Sequence, residues 1–168
     1  MFVALGHRIV YGEKWNVLTH GVILMQLAKL GRSDVFLGLP CQSFTFARDL
    51  ALRSLEFPLG KPDLTPRQKN LVETGNTLAS WVLDFIKVVN FAHKYFTVEN
   101  PKLSWLWWLP EWITFKQTEG VIATVLQQRC YGWITRKDTF MLHNSPVLDG
   151  IGTSDVYCPP SDIVLRCK

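Results

Sequence analysis

Two short stretches set chemically useful side chains at the ends of apolar runs. The first is Asp34-Val-Phe-Leu-Gly-Leu-Pro-Cys-Gln-Ser-Phe44. Its apolar part, Asp34 to Leu39, stops at Pro40, as a buried parallel strand does when it delivers a residue at its C-terminal end. The residue delivered is Cys41. Ligands of open α/β sheets bind just beyond the carboxyl ends of strands, where a thiol is well placed for nucleophilic work. A Pro-Cys pair taken alone more often marks a small buried cysteine. The second stretch, Tyr95-Phe-Thr-Val-Glu-Asn-Pro101, is another apolar strand that ends in a carboxylate, Glu99. A thiol and an acid at two strand ends joined by a helix make a nucleophile and a proton donor.

The elements that must hold this pair follow in order. Arg8 to Tyr11 reads as a strand, with Glu13 just past its end. An acid there can bind a ribose hydroxyl pair, although a lone Glu is more often a solvated turn residue. Asn16 caps a helix to Leu30, with Val17, Val22, Met25 and Leu27 or Ala28 on its apolar side. After Cys41 comes a polar connection from Arg48 to Asp63 that carries Arg48, Arg53 and Lys61. It is either a solvated loop or a lid that contacts a phosphate backbone.

Thr65-Pro-Arg-Gln68 starts a helix: Thr65 caps, Pro66 takes the first position, and Gln68 completes a capping box. Leu71, Gly75, Leu78, Val82, Phe85, Ile86 and Val89 form one apolar face. Gly75 in mid-helix costs about 1 kcal/mol against alanine, which implies close approach of the sheet or a ligand, packing being the simpler cause. The return to the Tyr95 strand makes a right-handed strand–helix–strand crossover. Leu103 to Trp112 holds four of the seven tryptophans. They suit a satellite hydrophobic cluster better than a base-stacking platform. Two further strands follow, Val121 to Leu126 and Phe140 to Leu142. Their polar connection bears Gln128, Arg129, Arg136 and Lys137.

Composition bounds the rest. The chain has 168 residues, 48% hydrophobic and 19% charged, which excludes a disordered chain and allows one domain with a sizeable core. No apolar run approaches the ~18 residues of a membrane span, so no membrane partner is expected. The first residues lack the charged flank and apolar core of a signal peptide. Cys41, Cys130, Cys158 and Cys167 show no CxxC spacing and suggest free thiols in an intracellular, reducing compartment, the nucleus if the source is eukaryotic and the cytoplasm otherwise. The net charge of +4 permits a polyanionic partner but does not require one.

Taken together, Pro40-Cys41-Gln42 with Ser-Phe, then Glu99-Asn100, then Gln127-x-Arg129, in that order, resemble the DNA cytosine-5 methyltransferase family. The Glu-Asn-Pro form of the second motif and Tyr-Gly-x-x-x-Arg-Lys-x-Thr at Tyr131 to Thr139 resemble a divergent group within it. Leu52-Arg-Ser and Gly75-Asn76 also suit that group. The resemblance covers roughly residues 4 to 142. It implies S-adenosylmethionine as methyl donor, Cys41 as the nucleophile for ring carbon-6, and Glu99 as the acid at ring nitrogen-3. It implies Glu13, Pro40 and Asn100 near the cofactor. Arg129 matches the first arginine of the Gln-x-Arg-x-Arg motif near the base. Gln42, Ser43, Arg48, Arg136 and Lys137 are the expected DNA contacts. Tyr131 stands where that motif has its second arginine, and Pro101 follows Glu99-Asn100 where valine is common. The family's first strand and glycine-rich loop should precede Ala4 and are not in the sequence.

The expected fold is therefore α/β: a partial Rossmann-like methyltransferase sheet over residues 1–142, with an antiparallel strand pair at its C-terminal edge and an irregular tail over 143–168. The expected activity is methyl transfer to carbon-5 of cytosine in DNA, or descent from a chain that did so. A non-catalytic nucleic-acid-binding module on the same fold is the alternative. A Cys-dependent hydrolase would need a histidine near Cys41, and no motif places His7, His20, His93 or His143 there. The Asp/Asn-Pro-Pro-aromatic motif of adenine-N6 methyltransferases does not occur. No metal site is expected.

Overall fold

The computed structural model describes residues 21–22, 25–26, 34–46, 51–128 and 138–150. Its longest element starts at Thr65. The Thr65 hydroxyl accepts from the backbone N–H of Gln68, and Gln68 Oε1 accepts from Thr65 N–H at 2.9 Å. With Pro66 at the first position, this is the expected capping box. The helix it opens, α1 (Pro66–Phe91), buries Val72, Gly75, Ala79, Val82, Leu83, Phe85, Ile86 and Val89. Its apolar face is rotated from the expected one. Leu71 and Leu78 are only half-buried, while Val72, Ala79 and Leu83 go deep. His93, with φ 55°, turns the chain out of the helix toward the next strand.

Four strands form one sheet in the order β1-β2-β4-β3: β1 (Val35–Gly38), β2 (Phe96–Pro101), β3 (Ile122–Gln127) and β4 (Asp138–His143). β1 and β2 are parallel, with α1 as the crossover between them. β4 runs antiparallel to both β2 and β3. The result is a mixed α/β sheet that contains the expected antiparallel pair, and the structure places that pair on the far side of β2 from β1.

The expectation of a fully buried first strand is corrected. Val35 and Leu37 pack on the core, but Phe36 is 56% exposed and Gly38 is exposed. Alternate residues face opposite sides of a sheet, and β1 is the outermost strand among the described residues. An unbroken apolar run did not reveal that Phe36 and Gly38, on the face away from the core, stay in contact with solvent.

One hydrophobic cluster joins α1, the inner faces of β1, β2 and β4, and the tryptophan segment. Trp105 and Trp107 lie in a 3-10 turn (Trp105–Trp108), and Trp112 in the short helix α2 (Pro110–Phe115). All three are buried in the main core rather than in a satellite cluster, and only Trp108 is substantially exposed. Trp107 meets Phe140 of β4 at 4.6 Å and Trp112 edge-on at 5.8 Å, favourable aromatic geometries.

At the other ends, Gly21, Val22, Met25 and Gln26 are helical, as expected. Met25 packs on the core, but Val22, placed on the apolar side, is 74% exposed. β4 extends through the buried His143, and one helical turn, α3 (Pro146–Asp149), follows it. The last 18 residues, with Cys158 and Cys167, lie outside the described residues. No described helix is long and apolar enough to cross a membrane.

Candidate functional site

Strand register brings the two motifs together. Gly38, the last residue of β1, stands opposite Glu99 of β2. A Cβ on Gly38 would lie 3.8 Å from Glu99 Oε2, so the carboxylate reaches back beside the strand that leads to Cys41. One residue on, Asn100 is fully buried, and its Nδ2 donates to Leu39 O at 2.9 Å. That bond ties the exit of β1 to β2. Asn100 Oδ1 is buried with no hydrogen-bond partner.

The segment after Leu39 is a tight turn. Pro40, Cys41 and Gln42 are exposed, while Ser43 and Phe44 are buried. Phe44 N–H donates to Cys41 O at 3.0 Å and closes the turn. Phe44 O in turn accepts from Trp105 N–H at 2.8 Å, and Phe46 stacks on the Trp105 ring at 4.2 Å. The turn is thus anchored on the tryptophan side, with the Cys41 thiol left open to solvent.

Arg53 anchors it on the helix side. This arginine is 1% exposed. Its Nε donates to Ser43 O at 2.9 Å, and its Nη2 to Ser43 Oγ at 3.2 Å and to Val72 O at 3.3 Å. Its Nη1 donates to Pro58 O and Asn76 Oδ1, each at 2.7 Å. The guanidinium lies 4.2 Å from the centre of the Phe44 ring. Desolvation pushes its pKa down to about 10, so it is still charged at neutral pH. Neither expectation for the connection fits Arg53: it is neither solvated nor free to hold a phosphate. Lys61 is half-buried.

Gly75 explains how the turn comes so near the helix. A Cβ there would collide with Ser43 Oγ and would sit 3.3 Å from Arg53 Nη2 and from Phe44 Cε2. The close approach inferred from a mid-helix glycine is therefore a packing contact with the Cys41 turn itself.

Two adjoining spaces flank this contact. One is a cavity of about 150 Å³ lined by apolar Leu39, Pro40, Phe44, Leu71 and Leu78 with Gln42, Ser43, Thr74 and Gly75. The other, about 770 Å³, is lined by Gln42, Thr65, Arg67, Gln68, Asn70, Leu71 and Thr74. Gln42, Leu71 and Thr74 belong to both. Cys41 and Glu99 line neither. The larger space falls within the ~300–1,000 Å³ typical of small-molecule sites, and the smaller falls below it.

The expected site residues divide accordingly. Cys41, Glu99, Pro40, Gln42 and Asn100 gather around the ends of β1 and β2. Ser43, expected at substrate, is buried, held by Arg53 and part of the lining of the smaller cavity. Glu13, Arg48, Arg129, Arg136 and Lys137 lie outside the described residues, as does Tyr131. Sequence reasoning missed the role of Arg53 because an arginine in a loop marked by proline and glycine reads as surface. The one signal that pointed to it was Gly75-Asn76 on the facing helix. Comparisons with protein-family models, curated proteins and solved structures returned no match to this chain.

Proposed function

We propose that this chain is built to add a thiolate to a cytosine ring of DNA and to serve methyl transfer to carbon-5 of that ring. The observation that carries the reading is the pairing of Gly38 with Glu99 at the ends of adjoining parallel strands, with the exposed Cys41 three residues further on. The parallel crossover through α1, with an antiparallel pair beyond β2, is also the arrangement that the resemblance to cytosine-5 methyltransferases implies, and it supports a Rossmann-like methyltransferase sheet.

The chemistry follows from the residue types. Carbon-5 of cytosine is a poor nucleophile. The Cys41 thiolate forms a bond to carbon-6 while the Glu99 carboxyl protonates and holds ring nitrogen-3, which turns the ring into an enamine. S-adenosylmethionine, when bound, supplies an electrophilic methyl group to carbon-5. The carbon-5 proton then passes to solvent, the carbon–sulfur bond breaks with return of the thiolate, and the nitrogen-3 proton goes back to Glu99. A thiol fixed in a turn and open to solvent can reach a base only if the base leaves the stack, the usual solution for chemistry on a nucleobase.

Of the residues that the resemblance places near the methyl donor, Pro40 and Asn100 lie together at the end of β1, and the buried Asn100 Oδ1 has no hydrogen-bond partner. An amino or hydroxyl group of the donor would satisfy that oxygen, and Pro40 and Asn100 would be the residues that hold it.

The test is a covalent trap. The chain is incubated with an oligonucleotide containing 5-fluorocytosine plus labelled S-adenosylmethionine, and separately with one containing 2-pyrimidinone and no donor. A stable adduct mapped to Cys41 in either reaction, lost in Cys41→Ala, is the expected result. Absence of an adduct in both overturns the proposal. DNA binding that survives Cys41→Ala without any adduct would instead identify a binding module.

A further inference from the structure

We propose that Arg53 is the positioning residue of the Cys41 turn: its guanidinium fixes the orientation of the thiol toward a planar ring without touching substrate. This deepens the reading of Cys41 as nucleophile and rests on it.

Three observations carry the inference. First, Arg53 is the hub between three segments. It binds Ser43 in the turn through both backbone and side-chain oxygens, Pro58 in the connection, and Val72 and Asn76 on α1. Second, no carboxylate is among its partners in the described residues. A buried cation without a counter-ion is costly, and a site that served stability alone would be met as well by apolar packing. The five donors of a guanidinium offer what apolar packing does not, a fixed planar fork that sets several carbonyls at once. Third, the turn is tied down at four of its carbonyls, and Arg53 holds one that no other donor reaches among the described residues. Leu39 O goes to Asn100, Cys41 O to Phe44 N–H and Phe44 O to Trp105 N–H. Ser43 O goes to Arg53. Arg53 thus fixes the C-terminal half of the turn, two residues after Cys41, although the thiol itself is exposed. A group that must meet one atom of a ring needs this kind of support, since small misplacements of a reacting group are expensive.

Exposure and orientation respond differently to the loss of Arg53, and the test uses that difference. Arg53→Met and the milder Arg53→Lys are made in the full chain. Three rates are measured: alkylation of Cys41 by iodoacetamide, read by peptide-resolved mass spectrometry; Cys41 adduct formation with the 2-pyrimidinone oligonucleotide; and hydrogen exchange at the Phe44 amide. Iodoacetamide reaches a thiol from any side, so its rate should stay within threefold of the parent. Adduct formation should fall at least tenfold in Arg53→Met and less in Arg53→Lys. The Phe44 amide should exchange at least tenfold faster in Arg53→Met, while amides from Val82 to Val89 keep their protection. Unchanged Phe44 exchange, or adduct formation that falls no more than alkylation does, overturns the proposal. If Arg53→Met does not fold, the same three measurements on Arg53→Lys decide. A parent chain that forms no adduct fails the cysteine reading itself. A parent that reacts while both variants react equally well fails only the role given to Arg53.

Discussion

At the scale of single residues, the site is a set of close contacts with little slack. Gly75 is the clearest. Alanine there would gain about 1 kcal/mol of helix propensity, but its methyl group would strike Ser43 Oγ and crowd Arg53 and Phe44. Ser43 is held by two bonds from Arg53 and cannot give way cheaply. Overpacking of a filled site typically costs about 1–3 kcal/mol, so the steric term wins. Gly75→Ala should lower the urea midpoint of unfolding with little change in m-value; a raised midpoint would show that the turn yields. Asn100→Ala removes the donor to the buried Leu39 O and should cost about 1–3 kcal/mol in the same measurement. Cys41→Ala is the contrasting case. The thiol is exposed, so its removal should shift stability by no more than about 0.5 kcal/mol while abolishing the adduct.

At the scale of elements, local signals were legible and nonlocal ones were not. The start of α1 could be read from four consecutive residues, because a capping box is satisfied within one helical turn. Thr65→Ala should therefore cost about 1 kcal/mol, seen as reduced thermal stability. The strand–helix–strand crossover was legible from apolar patterning, and the antiparallel direction of the last two strands came only with the family resemblance. The exposure of Phe36 and Gly38 was not legible, since which face of a strand is covered depends on what packs against it and not on composition. The burial of Val72, Ala79 and Leu83 in place of Leu71 and Leu78 was not legible either, because it depends on the segments packed on α1, among them Gly60 and Arg53 beside Val72. Arg53 was illegible for a similar reason: its partners lie 10 to 23 positions away along the chain, at Ser43, Val72 and Asn76, apart from nearby Pro58. Its burial has a measurable consequence. Desolvation lowers its pKa on folding to about 10, so the unfolded chain holds this proton more tightly than the folded one. Stability then rises with pH wherever the unfolded state binds more protons. The stability of the parent relative to Arg53→Met should increase as pH climbs from about 10, and should be flat between pH 7 and 9. Paired urea titrations at pH 8, 10 and 11 check this; a difference that shrinks with rising pH would contradict it.

At the scale of the whole molecule, the tryptophan segment decides whether site and core are separate structures. A satellite cluster would unfold on its own and leave the sheet standing. Here Trp105, Trp107 and Trp112 share one core with α1 and with Phe96, Val98 and Leu142 of the sheet. Trp105 also donates to Phe44 O in the Cys41 turn. Burying a large aromatic ring contributes on the order of 2–3 kcal/mol, so several of them in one cluster couple the segment strongly to everything they touch. Helix, sheet, tryptophan segment and turn should then lose structure together. Urea unfolding followed by tryptophan fluorescence, which reports the core, and by far-ultraviolet circular dichroism, dominated by α1, should give one coincident transition. Peptide-resolved alkylation of Cys41 would not report it, because that thiol is open from the start. Exchange of the Phe44 amide would, and should follow the same curve. Fluorescence that changes well before dichroism would mean that the tryptophans are docked on the core rather than part of it, and the turn they anchor would then be free to move without unfolding the sheet.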